Sequence, residues 1–289
     1  MNNIRLAKKY STALDEVYMT SGKTAVLESD STWVKETANA AEVMIPTLSM
    51  DGLADYSRDD GYVKGDVSFT WETVRFDYER GRKFDVDTVD NEETAGVAFG
   101  RLAGEFIRTQ VAPELDAYRF ASLASKAAKA GKLAEGTLTT GADVVSALRD
   151  CITYMDTNDV PDTDRILFIS SGLKGVVDDM DTYKSKAVLS RFSQIIMVPQ
   201  SRFTTDVKLL DGTSEGETSG GFVCGGNNIN FLAVHKPATL VFTKNVLSKI
   251  IPPDLNQFSD GWLYMYRVYG MCQVLRNRDD GIYAHTAST

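Results

Sequence analysis

The feature that most constrains this chain is a long helical pattern covering residues 94–125. Its first half repeats mostly apolar side chains at the spacing of one helix face, namely Phe99, Leu102, Ala103, Phe106, Ile107, Gln110 and Val111. Pro113 removes one backbone hydrogen bond, so we expect a kink near Thr109, or a break followed by a second helix. At about 1.5 Å per residue the stretch would run ~45 Å, which is enough to span a small domain.

The segments before this helix show no core of their own. Residues 1–45 are mixed and polar, with one short amphipathic helix predicted around Tyr10, Leu14 and Tyr18 and an extended arm after it. Turn signals mark residues 46–65 as a loop. The acidic run at 90–93 would favour the N-terminus of the long helix.

A two-stranded excursion is predicted between that loop and the helix. Residues 67–71 alternate apolar and polar side chains, and the apolar phase then shifts by one, which predicts a β-bulge or a local twist near Thr73. Residues 79–82 are predicted as a turn and 83–87 as the returning strand. Such a pair is marginal in water by itself, so it must lean on another surface.

The remainder has the pattern of a compact α/β unit. We predict helices at 144–155 and 171–180, a mobile loop or hairpin tip in the Gly/Ser/Asn-rich residues 211–228, and a short turn or helix at 245–249. Strands are predicted at 165–170, 194–198, 231–234, 239–243, 263–269 and 273–275.

Composition excludes several classes of protein. The 289 residues carry a formal net charge of −9, and no strongly basic surface of the kind that binds DNA without sequence preference is present. No apolar run approaches the length of a membrane span, and the N-terminus lacks the apolar stretch of a secretory signal. Three widely spaced cysteines predict reduced thiols rather than disulfides or a zinc site.

The sequence contains no motif that indicates a catalytic site. His235 and His285 lie outside any nucleophile context, and the Gly required for a phosphate loop ending in residues 21–24 is absent. Residues 170–175 follow a strand and open a helix, but without a glycine fingerprint an ordinary helix cap explains them better. The aspartates at 85–90 fail the spacing of a calcium loop. We therefore predict no catalytic residue, no cofactor and no metal.

Short motifs in a fixed order carry a family resemblance over nearly the whole chain. The motifs are residues 7–11 with 14–16, residues 45–47 with Leu53, Asp55 and Tyr56, residues 82–87 with 90–94, residues 112–119 (APELDAYR), residues 198–203, and residues 276–278 with 281–285. In these motifs the chain resembles the major capsid proteins of tailed bacteriophages with the Hong Kong 97-type fold. An arm and a β-excursion without cores, followed by a long helix, also suit a subunit that completes its burial with neighbours.

The resemblance implies an α+β fold with four parts. These are an N-terminal arm (1–47), an extended β loop (48–86), a peripheral domain (87–135 and 236–289) that carries the spine helix (94–125), and an axial domain (136–235).

The implied function is that of a structural shell protein and not of an enzyme. The resemblance implies assembly through pentamers and hexamers into an icosahedral shell around double-stranded DNA, in the host bacterial cytoplasm, with the virion as final location. A separate scaffolding protein and a portal are possible partners, and no membrane is involved. Two alternatives stay open: an encapsulin-like nanocompartment that encloses enzyme cargo, and a nucleotide-binding α/β enzyme.

Charged and aromatic residues outside the predicted core are the candidates for contacts between subunits. The excursion tip at 57–66 is charged and contains glycine, so it should reach a neighbour. The candidates are Arg58, Asp59, Asp60, Tyr62, Lys64, Arg80, Arg82, Arg101 and Arg108.

Overall fold

The structure is a computed structural model that describes residues 22–29, 35–36, 42–59, 61–87, 97–180, 182–257 and 259–288. The predicted helix around Tyr10, the acidic run 90–93 and Asp60 lie outside these residues. The helices are α1 (Val97–Phe106), α2 (Ala112–Lys129), α3 (Gly141–Thr157), α4 (Ser171–Met180) and α5 (Tyr183–Leu189). The strands are β1 (Lys35–Glu36), β2 (Glu42–Met50), β3 (Val67–Arg75), β4 (Tyr78–Asp87), β5 (Leu133–Glu135), β6 (Arg165–Ser170), β7 (Gln194–Val198), β8 (Thr204–Leu209), β9 (Phe222–His235), β10 (Thr239–Ile251), β11 (Gly261–Val274) and β12 (Ile282–Thr286).

The predicted long helix is confirmed, and its hydrogen-bond pattern is irregular just before Pro113, as the missing N–H of that proline requires. A π-turn over Ile107–Val111 separates α1 from α2, and Pro113 stands in the first turn of α2. The flanking residues Phe106 and Ala112 both keep right-handed helical dihedrals, so the axis continues through the turn. Together α1, the π-turn and α2, here called the long helix, run about 50 Å.

The first half of the long helix packs on a three-stranded antiparallel sheet in the order β10, β11, β4. Ala103, Ile107 and Val111 are buried there against Tyr264, Tyr266 and Val268 of β11. The apolar face predicted from the helical spacing is therefore the face that packs on β11. Gln110, predicted on the same face, is exposed and marks the edge of the contact.

The second half packs on a larger sheet of six strands. Its order is β5, β12, β9, β6, β7, and β8 pairs with the N-terminal part of β9. In β6 every residue is buried, because Ile166 and Phe168 face α2 while Leu167 and Ile169 face the helices α3 and α4. A strand covered on both faces reads as a continuous apolar run, as the sequence RILFIS does.

The segment 22–29 is fastened to the long helix by buried polar groups. The Asp116 carboxylate accepts hydrogen bonds from the Lys23 backbone N–H at 2.9 Å and from the Thr24 hydroxyl at 2.6 Å. The Arg119 guanidinium donates to the Thr24 carbonyl and pairs with Glu28. The surface on which this part of the arm lies is therefore the chain's own long helix.

The predicted pairing of the β-excursion is wrong. β3 pairs with β2 in an uninterrupted antiparallel register from Glu42↔Arg75 to Met50↔Val67, so no bulge occurs near Thr73. The residues predicted as a turn at 79–82 belong to β4, which pairs with β11. The phase shift lies inside β3, and β4, which belongs to a different sheet, begins at Tyr78.

Two other local predictions need correction. Residues 245–249 continue β10, with a register shift between Asn245 and Leu247 instead of a turn. The hairpin tip predicted as one alternative for 211–228 is present between the antiparallel strands β8 and β9, but it ends earlier, because residues 222–228 already belong to β9 and pair with β8. The helices at 144–155 and 171–180 and the strands at 165–170 and 194–198 are confirmed.

Candidate assembly surfaces

The β2–β3 hairpin exposes one apolar face. Directly paired residues share a face of a sheet, so Leu48 and Met50 lie beside Phe69 and Val67. Phe69 is 56% exposed and Val67 70%, and Trp71 extends the same row. A contiguous apolar row of this size is typical of an interaction surface. We call these five residues the hairpin row.

The hairpin ends in a small folded tip. The Ser57 and Gly61 backbones form an antiparallel bridge, and the Tyr56 and Tyr62 rings pack at 4.8 Å between centroids. Tyr62 is 89% exposed, and Leu53 and Val63 are exposed as well. We call Leu53, Tyr56, Tyr62 and Val63 the tip knob. The candidates Arg58, Asp59 and Lys64 surround it and are all exposed.

Arg80 is satisfied within its own chain. Its guanidinium lies 2.7 Å from the Glu114 carboxylate of α2 and donates at 2.8 Å to the Leu210 carbonyl and at 3.1 Å to the Gly221 carbonyl. Burial raises the pKa of the Tyr78 hydroxyl, and the neighbouring Glu114 carboxylate, which accepts its hydrogen bond, raises it further. Arg80 thus joins β4, the long helix and the base of the loop 210–221.

Arg82, two residues along β4, lies under the same loop and stays exposed. An added Cβ at Gly212 would come within 2.9 Å of its guanidinium, and one at Gly220 within 3.1 Å. Both glycines have positive φ, of +75° and +65°, a region that side chains disfavour. Within the described residues Arg82 forms no ion pair, and its single hydrogen bond there reaches the Thr218 carbonyl at 3.4 Å.

A groove of about 510 Å³ opens between β4, the long helix and the loop 210–221. Its floor is apolar and is formed by Phe84, Phe106, Val111, Tyr266 and Val268. Its walls are polar and include Arg80, Arg82, Glu114 and Asp211. Hydrogen bonds from its own loop lower the pKa of Asp211, which keeps that carboxylate charged. We call this the β4 groove.

The last two candidates lie on the long helix. Arg108 is exposed and pairs with Glu105 at 2.6 Å, one turn earlier. Arg101 lies in α1, and the structure does not describe its side chain. The other candidate residues fall into two groups, one at the hairpin tip (Arg58, Asp59, Tyr62 and Lys64) and one at the β4 groove (Arg80 and Arg82).

No protein-family model matches the sequence, and no curated protein matches it. Solved structures do match. A structure from Gordonia phage Cozz has a TM-score of 0.61 at 11% identity, over 93% of this chain and 87% of that chain. The mature capsid of bacteriophage PhiM1 has a TM-score of 0.59 at 12% identity, over 86% and 82%. A virus-like particle from Pyrococcus furiosus has a TM-score of 0.53 at 10% identity, over 96% and 99%.

The chain has the Hong Kong 97-type capsid fold. The predicted α+β class and the predicted fold are thereby confirmed. At these identities the similarity establishes the fold, and function is argued separately below.

The two segments considered as phosphate-binding loops, residues 21–24 and 170–175, are engaged in contacts within the chain. Thr24 is fully buried, and its hydroxyl donates to Asp116 instead of facing a ligand. Ser171 opens α4, and its hydroxyl donates to the Val198 carbonyl at 3.2 Å. Both segments are used by the protomer's own packing.

Other reactive side chains serve packing as well. Burial raises the pKa of the Cys272 thiol to about 11 and also raises that of Cys151, so both stay protonated. Burial lowers the pKa of His285, whose Nδ1 lies 3.0 Å from the Asn230 amide nitrogen. Across the described residues, no group of three or more His, Cys, Asp or Glu side chains is arranged to hold a metal ion. No described helix is long and apolar enough to cross a membrane.

Sequence reasoning missed two of these surfaces. The alternation of residues 67–71 indicates the β3 part of the hairpin row. The sequence does not show that this face is exposed to solvent, because that depends on the partner strand β2. The β4 groove has no signal in the sequence, because the loop 210–221 reaches β4 only through tertiary contacts.

Proposed function

We propose that this chain is the major capsid protein of a tailed bacteriophage. Copies of the chain assemble through pentamers and hexamers into an icosahedral shell that encloses double-stranded DNA. The observation that carries the proposal is the near full-length similarity to capsid structures, such as the 82% of the PhiM1 capsid chain that is covered. The exposed hairpin row supports it, because a row of that kind needs a partner surface.

Within this proposal the parts of the chain divide as follows. Residues 1–47 form the N-terminal arm, which includes the first part of β2, and the extended loop runs from Leu48 to Arg75. The β10–β11–β4 sheet and the spine helix form the peripheral domain, and the six-stranded sheet with α3–α5 forms the axial domain. β12 belongs to the axial domain because it pairs with β9 and β5, and β4 to the peripheral domain because it pairs with β11.

The proposed role is structural and has no catalytic step. Contacts with other copies of the chain are its main interactions, and the packaged DNA is enclosed without sequence-specific binding, in keeping with a net charge of −9. We further propose that assembly takes place in the host bacterial cytoplasm, that the product is the virion, and that a separate scaffolding protein and a portal take part.

A cellular nanocompartment that encloses enzyme cargo is the second candidate. It is favoured by the similarity to the Pyrococcus furiosus virus-like particle, which covers 99% of that chain. The two candidates share the fold and the shell and differ in content.

Electron microscopy of the expressed protein tests the proposal. Closed icosahedral particles are expected when the chain is produced alone or with its scaffold. Particles from infected cells should contain nuclease-protected DNA, whereas a nanocompartment would contain protein cargo instead. The absence of particles under all these conditions would reject both candidates.

A further inference from the structure

We propose that Asp116 and Arg119 of α2 form a junction that holds residues 22–29 in place only while the two sheets keep their relative position. We call residues 22–29 the arm root, because residues 1–21 join the described body of the chain there. This role rests on the proposed function, which assigns these residues to the N-terminal arm. Asp116 and Arg119 are positioning residues of that arm.

The Asp116 carboxylate joins the arm root to the six-stranded sheet. One of its oxygens accepts hydrogen bonds from the Thr24 backbone N–H at 2.8 Å and from the Thr24 hydroxyl at 2.6 Å. The other oxygen accepts from the Lys23 backbone N–H at 2.9 Å and lies 3.2 Å from the Arg202 guanidinium. Arg202 ends the short turn Gln200–Arg202 between β7 and β8. One carboxylate oxygen therefore serves both the arm root and a turn of the six-stranded sheet.

Arg119, one turn further along α2, joins the arm root to the three-stranded sheet. Its guanidinium donates to the Thr24 carbonyl at 3.3 Å, pairs with the Glu28 carboxylate, and donates to the Thr243 hydroxyl of β10. The Thr243 hydroxyl in turn donates to the Glu28 carboxylate at 2.6 Å. The arm root is thereby bonded to both sheets through two side chains of a single helix.

The charged groups of this junction are buried, so each depends on its partners. Asp116 and Thr24 are fully buried, and Arg119 is 1% exposed. A buried ion that loses a partner is left uncompensated, which costs much more free energy than the loss of an exposed pair. Because Asp116 and Arg119 lie on one turn of α2, they cannot follow both sheets if the sheets move apart. Movement of the turn 200–202 relative to β10 would therefore break one side of the junction.

The two halves of the arm root are held differently. Leu27 is fully buried in the core, and the Ser29 N–H donates to a carbonyl of β10 at 2.9 Å. Within the described part of the chain, the hydrogen bonds that tie residues 22–24 to α2 all go to Asp116 and Arg119. Loss of the junction should therefore expose this N-terminal half of the arm root first.

Trypsin reports on the junction, because it cleaves after Lys23 only when that peptide bond can enter the protease. Lys23 has helical dihedrals, and the next N–H is bound to Asp116, so the closed arm root is protected. Full-length, dissociated native subunits are digested, and mass spectrometry follows the fragment that begins at Thr24. The rate of its formation tracks the population of the opened arm root. Asp116→Asn should raise this rate at least about tenfold over wild type.

Glu114→Gln is the matched control. Glu114 is also buried on α2, but its carboxylate pairs with Arg80 of β4 and accepts from the Tyr78 hydroxyl. This variant should lower the melting temperature, yet leave the rate of cleavage after Lys23 within about twofold of wild type. An equal rise in both variants would mean that general destabilisation opens the arm root, and it would overturn the inference.

Arg202→Gln tests the coupling to the six-stranded sheet. Among the described residues, Arg202 has no hydrogen bond to the arm root and reaches it only through Asp116. Its substitution should still raise the rate of cleavage after Lys23 about threefold or more. A wild-type rate in this variant, or in Asp116→Asn, would overturn the inference and leave the proposed function standing. Absence of particles from the unmodified protein would reject the proposed function itself.

Discussion

Phe106 shows how much a single side chain of the long helix contributes to the stability of the folded chain. Its ring packs edge to face on Phe84 at 4.9 Å and on Tyr266 at 5.8 Å between centroids. Phe106→Ala should lower the free energy of unfolding by about 2–3 kcal/mol, below the range for a fully buried phenylalanine because the ring is half-buried. Thermal melts of the dissociated subunit measure this loss.

Arg108 is the matched control for that substitution, since it lies two residues along the same helix. Its guanidinium is exposed, and its pair with Glu105 is a surface contact. Arg108→Ala should therefore cost less than about 0.5 kcal/mol in the subunit. Equal melting temperatures for Phe106→Ala and wild type would mean that the contacts of Phe106 are not those described.

His285 gives the stability of the six-stranded sheet a dependence on pH. Burial lowers its pKa, and its ring stacks on Phe231 at 5.2 Å between centroids. Because the unfolded chain binds the proton more readily, this contribution to stability is full above pH ~6.5 and falls as the pH drops through that value. Melts of the dissociated subunit between pH 7.5 and 5 should show a smaller decline for His285→Gln than for wild type. The same slope in both proteins would contradict the assignment.

The proposed role of the β2–β3 hairpin in assembly depends on the length of the hairpin and on the residues at its tip. Joining Met50 to Val67 through a two-residue Asn-Gly turn should leave the rest of the fold intact, because none of the described residues removed is buried. Shells should be lost, and electron microscopy with melting curves separates this from unfolding. A tip of the original length made of Gly and Ser should fail in the same way if the tip knob is the anchor. Normal particles from the shortened protein would refute the role of the tip.

The same hairpin shows what the sequence could predict and why the rest stayed hidden. The spine helix follows from spacing within 30 or so residues, which is local information. The partner of β4 is β11, whose residues lie about 180 positions later in the chain, and periodicity carries no signal for such a pairing. The tip was recognisable from its turn residues, whereas the groove exists only once Arg80 has fixed the loop 210–221.

The apolar side chains of the molecule are of two kinds: some are buried in cores within the chain, and others are exposed on the β2–β3 hairpin. The core around Phe120 and Phe168 is closed within one chain, and the long helix links it to the core around Ile107. The hairpin contributes little to either, and its described contacts with the body are few, such as the Asn277 amide donating to the Leu48 carbonyl at 3.4 Å. The protomer is thus a stable body that carries an exposed apolar extension.

Such a protomer should persist in solution only as a minor species. The hairpin row places Phe69 and Val67 in water, and burying them against another copy is favourable by roughly 25 cal/mol per Å² of apolar surface. Phe69→Asp should therefore shift the protein from capsomers or shells to a folded monomer. The yield of particles should fall by at least about tenfold, while the melting curve of the variant stays cooperative. Ser68→Asp is the control, because Ser68 is the exposed neighbour on the opposite face of β3, and it should leave assembly unchanged. Analytical ultracentrifugation resolves these species. A wild-type protein that remains a compact monomer at high concentration under every condition would show that the hairpin row is not an assembly surface.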